Sequence, residues 1–430
     1  MMIIGMDIGT TNLKAVLISA EGKILAKASA PMSYDTDGSR VEFDVDELYG
    51  KVCSVIRELI SGFINANIRG ICISSASGNT VLLDNNNRPL VPAICWLDKR
   101  QKTEIEAVMG RLDPSEVYRL VGWPLEDGFP LAHLCWIRQT QPGLIERAAK
   151  IGMNGDYVNL RLCGVWAMDH STATTFYLRD QNTGKWYMPF LHALGISPDK
   201  LPLLLPVGTR IGAVTEAASA ETTLPVGTPV FLGSFDHPSA AVGADITKEG
   251  QLLLSCGTSW VGFTPVRDRG QILSAGLLCD PFLEKEGLWG AYFAMENVAK
   301  RVNLFLDKII PNSPDRHKIF DDLAATAEPG AGGPELNIND DPPNNLNKYG
   351  KNEIAEAVME SVGKLFTKEM EKLKKNGISV TEMVMVGGPS RSPIWPKIIA
   401  RTAGMPVKVL PDGICAGAIG AAKIAKRGSL

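Results

Sequence analysis

The chain has 430 residues, more than one ordinary core takes, which predicts two domains of roughly 200 residues each. Lys and Arg number 44 against 47 Asp and Glu, and the formal charge of −3 lacks the basic excess of a protein that grips nucleic acid. The eight cysteines form no Cys-x-x-Cys pair, the five histidines are scattered, and no apolar run reaches membrane-span length, which excludes a zinc ribbon, a His-rich metal site and a membrane span. The first residues enter structure at once with no signal-peptide pattern. The expectation is a reduced, cytoplasmic enzyme without nucleic-acid or membrane partners.

In chain order, residues 2–6 read as a strand, Asp7-Ile8-Gly9-Thr10-Thr11 as a turn, residues 13–18 as a second strand and residues 23–28 as a third. Residues 45–63 have helical apolar spacing, residues 70–74 and 81–84 are buried strands, and residues 103–109 a helix. Residues 155–215 mix short helices with a Thr183-Gly184 turn. Residues 230–233 form a strand that ends at Ser234-Phe235-Asp236, before a small-residue helix over 239–244. A new apolar strand, residues 251–255, precedes Cys256-Gly257-Thr258-Ser259, and this predicts a domain change near residue 245: residues 1–245, then 246–430. The two strand–Gly–Thr units lie about 250 residues apart and echo each other, as two related halves would. Residues 327–351, rich in Gly, Pro and Asn, read as a long surface loop or a partly disordered segment. Residues 354–373 form an amphipathic helix, 383–386 a strand, and 394–403 a helix with Pro393 near its first turn. Alternating strands and helices in both halves give an α/β class.

Several positions carry chemistry. In Gly9-Thr10-Thr11-Asn12, glycine admits close backbone approach and the hydroxyls add donors suited to phosphate oxygens, with Lys14 as a nearby charge. Asp7, ending the strand, suits a Mg²⁺ ion that keeps most of its waters. The same positions also fit a plain hairpin. Gly257, Thr258 and Ser259 repeat the pattern, so that two loops from two domains can clasp one phosphate chain; a second ordinary turn is the alternative. Gly387-Gly388, followed by Ser390 and Ser392, permits flat approach of a base or ribose, though a Gly-Gly turn is more often structural. Asp236 ends a buried strand and can accept a proton from a hydroxyl attacking phosphorus, or cap the following helix, or do both. His237 reads as a packing or hydrogen-bonding neighbour. Trp96, Asp98 and Arg100 suit a polyhydroxylated ligand, the ring covering its C–H face, or else make a buried Trp beside an Asp–Arg surface pair. Ser77, Gly78 and Asn79 place small polar groups at another strand end, or a simple loop.

Taken together, these residues resemble the FGGY family of carbohydrate kinases, of the actin-like ATPase superfamily, over nearly the whole chain. Asp7 to Lys14 is similar to the family's first phosphate motif, Trp96 to Arg100 to its Trp-x-Asp-x-Arg segment, residues 233–243 to the stretch holding the catalytic aspartate, residues 255–259 to the second phosphate motif, and residues 387–395 to the adenosine-proximal motif. Gly155 to Asn159, Asp169-His170-Ser171 and Thr183 to Trp186 also follow the family pattern. Of the two diagnostic signatures, residues 128–139 fit the first except that His133 replaces Lys, and residues 353–360 keep only the second half of the other. The resemblance implies two actin-like (ribonuclease H-like) domains facing each other across a cleft, and an ATP- and Mg²⁺-dependent kinase acting on a small sugar or polyol. It makes Asp236 the base, assigns Asp7 to the metal, and assigns Gly9, Thr10, Thr11, Asn12, Lys14, Gly257, Thr258, Ser259, Gly387, Gly388 and Ser390 to ATP. Ser77, Gly78, Asn79, Trp96, Asp98, Arg100 and His237 fall to the substrate. It allows a homodimer. A ketopentose such as xylulose is the substrate class it favours, although Ser77-Gly78 stands where xylulose kinases commonly carry Met-His. Other pentuloses, hexuloses, polyols and sugar acids stay open. So do two other readings of the scaffold: a nucleotide-driven binding protein, and a sugar-sensing pseudokinase.

Overall fold

Short β-rich runs and amphipathic runs resolve into two sheet-centred units in the computed structural model, which describes residues 2–63, 67–101, 104–310, 313–327 and 333–428. The first unit comprises Met1–Asp245, Leu278–Trp289 and Cys415–Leu430, and the second Ile246–Leu277 and Gly290–Ile414.

In the first unit, strand Met2–Ile8 pairs antiparallel with Asn12–Ser19, which pairs antiparallel with Ile24–Pro31. On its other side Met2–Ile8 runs parallel to Ile68–Ser75, and that strand parallel to Pro229–Phe235. The three parallel strands are buried along most of their length, as strands covered on both faces must be. One face is covered by helix Val45–Ile60, whose Leu48, Tyr49, Val52, Ile56 and Leu59 recur at helical spacing and are buried. Its start is fixed by Asp44, whose carboxylate accepts the Asp46 and Glu47 amides.

In the second unit, strand Gln251–Cys256 pairs antiparallel with Trp260–Val266 and parallel with Glu382–Gly387, which runs parallel to Val407–Val409. The layout repeats that of the first unit: a strand, its antiparallel neighbour, then parallel strands on the other side. Helices Lys351–Lys375 and Trp395–Ala403 belong to this unit, and the Trp260 and Trp395 rings meet edge-on at 5.1 Å.

The expected second domain, 246–430, is corrected in two places. Cys415–Leu430 belongs to the first unit because its helix, Ala416–Gly428, packs backbone to backbone against helix Asp236–Gly243. A β-carbon at Gly243 would overlap the Ala416 carbonyl, and one at Gly420 the Ser239 carbonyl. Ser239 Oγ also donates to Gly417 O at 2.8 Å. Leu278–Trp289 joins the first unit through Cys279, whose N–H donates to Gly122 O at 2.9 Å and whose carbonyl accepts from Gln181 Nε2 at 3.0 Å.

Smaller differences have local causes. The third strand runs Ile24–Pro31 because its pairing continues to Asn12–Pro31. The helix expected at 103–109 is Glu104–Met109, Thr103 lying outside the described residues. Of the segment read as an open loop, 328–332 lie outside the described residues. The described remainder is anchored: Ile338 and Leu346 are buried, and the Ile338 amide donates to Ser361 Oγ at 2.7 Å. All eight cysteines are free thiols.

Candidate functional site

Parallel pairing decides where the first unit's loops emerge. Asp7 pairs with Ser74, Ile8 with Ser75, and Phe235 with Ser75. The carboxyl ends of three strands are therefore level, and the loop at Gly9–Asn12, the loop at Ser77–Asn79 and Asp236 leave the sheet on one edge, where α/β sheets bind ligands.

Asp7 is a strongly perturbed group on that edge. Its Oδ1 is buried and has no hydrogen-bond partner. Burial first, and then the charge of Asp236, push its carboxyl up to about 7, while Lys14, its cross-strand partner, pulls the other way. Gly417 lies so close that a β-carbon there would strike the Asp7 carboxylate. A buried, unpartnered carboxylate oxygen beside a second carboxylate is a site that a divalent cation fits, since the cation supplies the missing charge. No group of three or more His, Cys, Asp or Glu capable of holding a metal occurs among the described residues.

Asp236 opens helix Asp236–Gly243 as its first residue rather than its cap; the cap is Phe235, with no side-chain cap bond. The capping alternative is thereby corrected. Among the described residues, Asp236 Oδ1 accepts one hydrogen bond, from the amide of its neighbour His237 at 2.7 Å. The His237 ring lies 4.0 Å from Asp236 Oδ1 and packs edge-on against Phe235 at 5.3 Å.

The loop Gly9–Asn12 is closed by Gly9 N–H donating to Asn12 O at 3.1 Å. Tyr34 Oη donates to Thr10 O at 2.8 Å, and the Trp96 indole N–H to Thr10 Oγ1 at 3.3 Å. Thr10, Tyr34, Asn79, Trp96 and Asn154 line one small cleft. The structure thus joins the expected phosphate loop to the expected sugar segment through Thr10.

Other expected sugar ligands are partly spent on the protein. Ser77 is buried and accepts from Thr175 Oγ1 at 2.7 Å. Asn79 Oδ1 accepts the Asn154 amide at 2.8 Å. Gly78 sits at φ +82, and a β-carbon there would lie 2.7 Å from the Phe129 ring, so this backbone requires glycine. Asp98 is fully buried and accepts Val41 N–H at 2.8 Å and Arg100 N–H and Nε–H at 3.0 Å. Arg100 pairs with Glu42 at 2.6 Å and lies over the Trp136 ring at 4.6 Å. The expectation that Asp98 binds hydroxyls directly is corrected: its oxygens hold the segment together. His133, in place of the family's Lys, is buried, bonded through Nδ1 to Thr80 Oγ1 at 2.8 Å, and pushed down to about 3 by desolvation, so it adds no charge.

In the second unit, Cys256 pairs with Gly387, so Gly257–Ser259 and Gly388–Ser390 leave two neighbouring parallel strands together. Gly387 has φ +95, and a β-carbon would overlap the Cys256 carbonyl. Gly257 and Thr258 are exposed, and Ser259 Oγ accepts the Asn297 amide at 3.1 Å, tying the loop to helix Val298–Ile309. Ser390 Oγ donates to Gly387 O at 2.8 Å, closing the Gly-Gly turn.

Tyr34, Asn154 and Gly417 were not signalled in the sequence, and Ser171 was marked only within Asp169-His170-Ser171, with no role. Each acts through a partner at least 24 residues away, and no local pattern marks such a pair.

Comparison with known proteins gives a consistent result. The pattern of the FGGY family of carbohydrate kinases, N-terminal domain, matches residues 2–243, and that of its C-terminal domain residues 324–428. Among curated relatives, the xylulose kinase of Escherichia coli (strain K12) is 26% identical over 446 residues, covering 99% of this chain and 90% of that protein. The L-fuculokinase of the same strain is 26% identical, covering 96% and 89%. Among solved structures, a xylulose kinase from Rhodospirillum rubrum superposes with a TM-score of 0.88 at 25% identity, covering 100% of this chain and 91% of that one.

Proposed function

This chain belongs to the FGGY family of carbohydrate kinases, enzymes that move a phosphoryl group from ATP to a sugar hydroxyl, and from that premise we propose that Asp236 is its general base and a ketopentose such as xylulose its acceptor class. The observation that carries the reading is the level carboxyl edge of the first unit, where Asp236, with no structural hydrogen bond beyond its neighbour's amide, stands near the unpartnered Asp7.

The acceptor lies against Trp96 and the Ser77–Asn79 loop. An Asp236 carboxylate oxygen takes the proton from its hydroxyl. The freed oxygen bonds to the γ-phosphorus as the bond from that phosphorus to the bridging oxygen breaks, and ADP leaves. Gly9, Thr10, Thr11 and Asn12 offer amides and hydroxyls to phosphate oxygens, with Lys14 adding charge. Gly257, Thr258 and Ser259 do the same on the second unit, where Gly387, Gly388 and Ser390 form the floor for adenosine. Asp7 holds Mg²⁺, which when bound neutralises phosphate charge.

The relatives' names, a xylulose kinase and an L-fuculokinase, support a ketose. The test is ADP release from the purified chain against pentuloses, hexuloses, polyols and sugar acids, with Asp236→Asn in parallel. Stimulation by a ketopentose in the wild type and not in the variant is expected. Stimulation by sugar acids alone would overturn the acceptor class, and full turnover by Asp236→Asn the base.

A further inference from the structure

Phe235 stands where strand Pro229–Phe235 leaves its ladder: the register with Ile68–Ser75 shifts between Leu232 and Phe235. The chain then turns, at φ −51 and ψ 151, into the helix that Asp236 opens. A register break next to a functional residue re-aims the chain. Here the Phe235 N–H donates to Ser171 Oγ at 3.3 Å. The Ser171 hydroxyl in turn donates to Asp280 Oδ2 at 2.8 Å. The Phe235 carbonyl accepts from Ser234 Oγ at 3.0 Å, and Ser234 O from Ser74 Oγ at 2.8 Å. Ser171 and Asp280 are both fully buried, so neither bond is exchanged with water. The residue that aims Asp236 is thus held by hydroxyls at both its amide and its carbonyl.

Asp280 reaches this network from an unusual place in the chain. It lies in Leu278–Trp289, whose flanking stretches, Ile246–Leu277 and Gly290–Ile414, belong to the second unit. The segment is further fastened by the His170–Glu284 pair and by the two bonds at Cys279.

We propose that Ser171 and Asp280 are positioning residues for Asp236, and that Leu278–Trp289, a stretch of the first unit, is a strap that fixes the aim of the base. The inference rests on Asp236 being that base. Neither residue touches the reacting atoms; the pair acts by holding the Phe235 amide, and a small displacement of a general base lowers the rate steeply.

The test separates positioning from mere folding. Ser171→Ala should lower kcat about tenfold while acceptor KM and ATP Kd stay within about twofold. Asp280→Ala should do the same, and the double variant should be no slower than either single one, because all three remove one constraint. Asp280→Asn keeps an oxygen for the Ser171 hydroxyl and should hold kcat within about threefold of wild type. An unchanged kcat in Ser171→Ala, or multiplicative losses in the double variant, would overturn the proposal. If Ser171→Ala does not fold, the Asp280 variants decide it: equal loss in Asp280→Asn and Asp280→Ala sinks the strap. Asp236→Asn is assayed alongside. If it keeps turnover, the base assignment fails; if it is inactive while Ser171→Ala is unimpaired, the strap alone fails.

Discussion

Asp7 and Asp236 face one edge of one sheet, yet their surroundings give them different work. Asp236 keeps its carboxylate largely free of structural duty, so its loss should cost chemistry rather than fold: Asp236→Asn should reduce kcat at least about a hundredfold with ATP binding by calorimetry nearly unchanged. Asp7 carries a carboxyl pushed from 3.8 to about 7. Between those values the folded chain holds a proton that the unfolded chain releases, so Asp7 lowers stability progressively as pH rises from about 4 to about 7. Asp7→Asn has no such titration. Its melting temperature should therefore exceed wild type by a margin that grows from pH 5 to pH 7 and levels off above, and a margin independent of pH would refute the perturbation. Adding Mg²⁺ at pH 8 should narrow that margin by stabilising only the wild type. Both aspartates are legible in the sequence because each ends an apolar strand beside a turn. The Ser171–Asp280 pair and the Tyr34–Thr10 bond are not legible, since each joins residues far apart along the chain.

Some elements in this protein meet backbone to backbone at glycines. Helices Asp236–Gly243 and Ala416–Gly428 cross with Gly243 and Gly420 at the contact, and the crossing sets the helix that begins at Asp236. Gly420→Ala must push the two backbones apart, so it should cost about 1–3 kcal/mol by denaturant unfolding and lower kcat as well. Gly387 serves a different need. Its φ of +95 and its contact with the Cys256 carbonyl leave no room for a β-carbon, and Gly387→Ala should raise the KM for ATP while leaving acceptor KM nearly unchanged. Binary patterning shows such strands and helices plainly, as at Val45–Ile60 and Lys351–Lys375. It does not show which small residues mark a crossing, because a glycine in a turn and a glycine between helices look alike in sequence.

At the scale of the whole chain, the two units are not consecutive stretches. The last helix completes the first unit, lying on strands Met2–Ile8 and Ile68–Ser75, where a β-carbon at Gly5 would overlap the Ala418 carbonyl. A chain ended after Ile414 should therefore lose the first unit's cooperative melting and all kinase activity. Circular dichroism melting with gel filtration measures this, and a native-like transition in the truncated chain would show that the helix is dispensable. Sequence alone determined the α/β class, the repeated strand–Gly–Thr layout, the turns at Gly9–Asn12 and Gly257–Ser259 and the strand-end places of the two aspartates, because these are written in local periodicity and in residues adjacent along the chain. Tertiary structure decided that Cys415–Leu430 and Leu278–Trp289 return to the first unit. It decided too that Asp98 braces the Trp96–Arg100 segment rather than facing open solvent, and that Ser171 accepts the amide of Phe235, next to Asp236. Those outcomes depend on which distant surfaces bury each other and which buried polar atoms find partners.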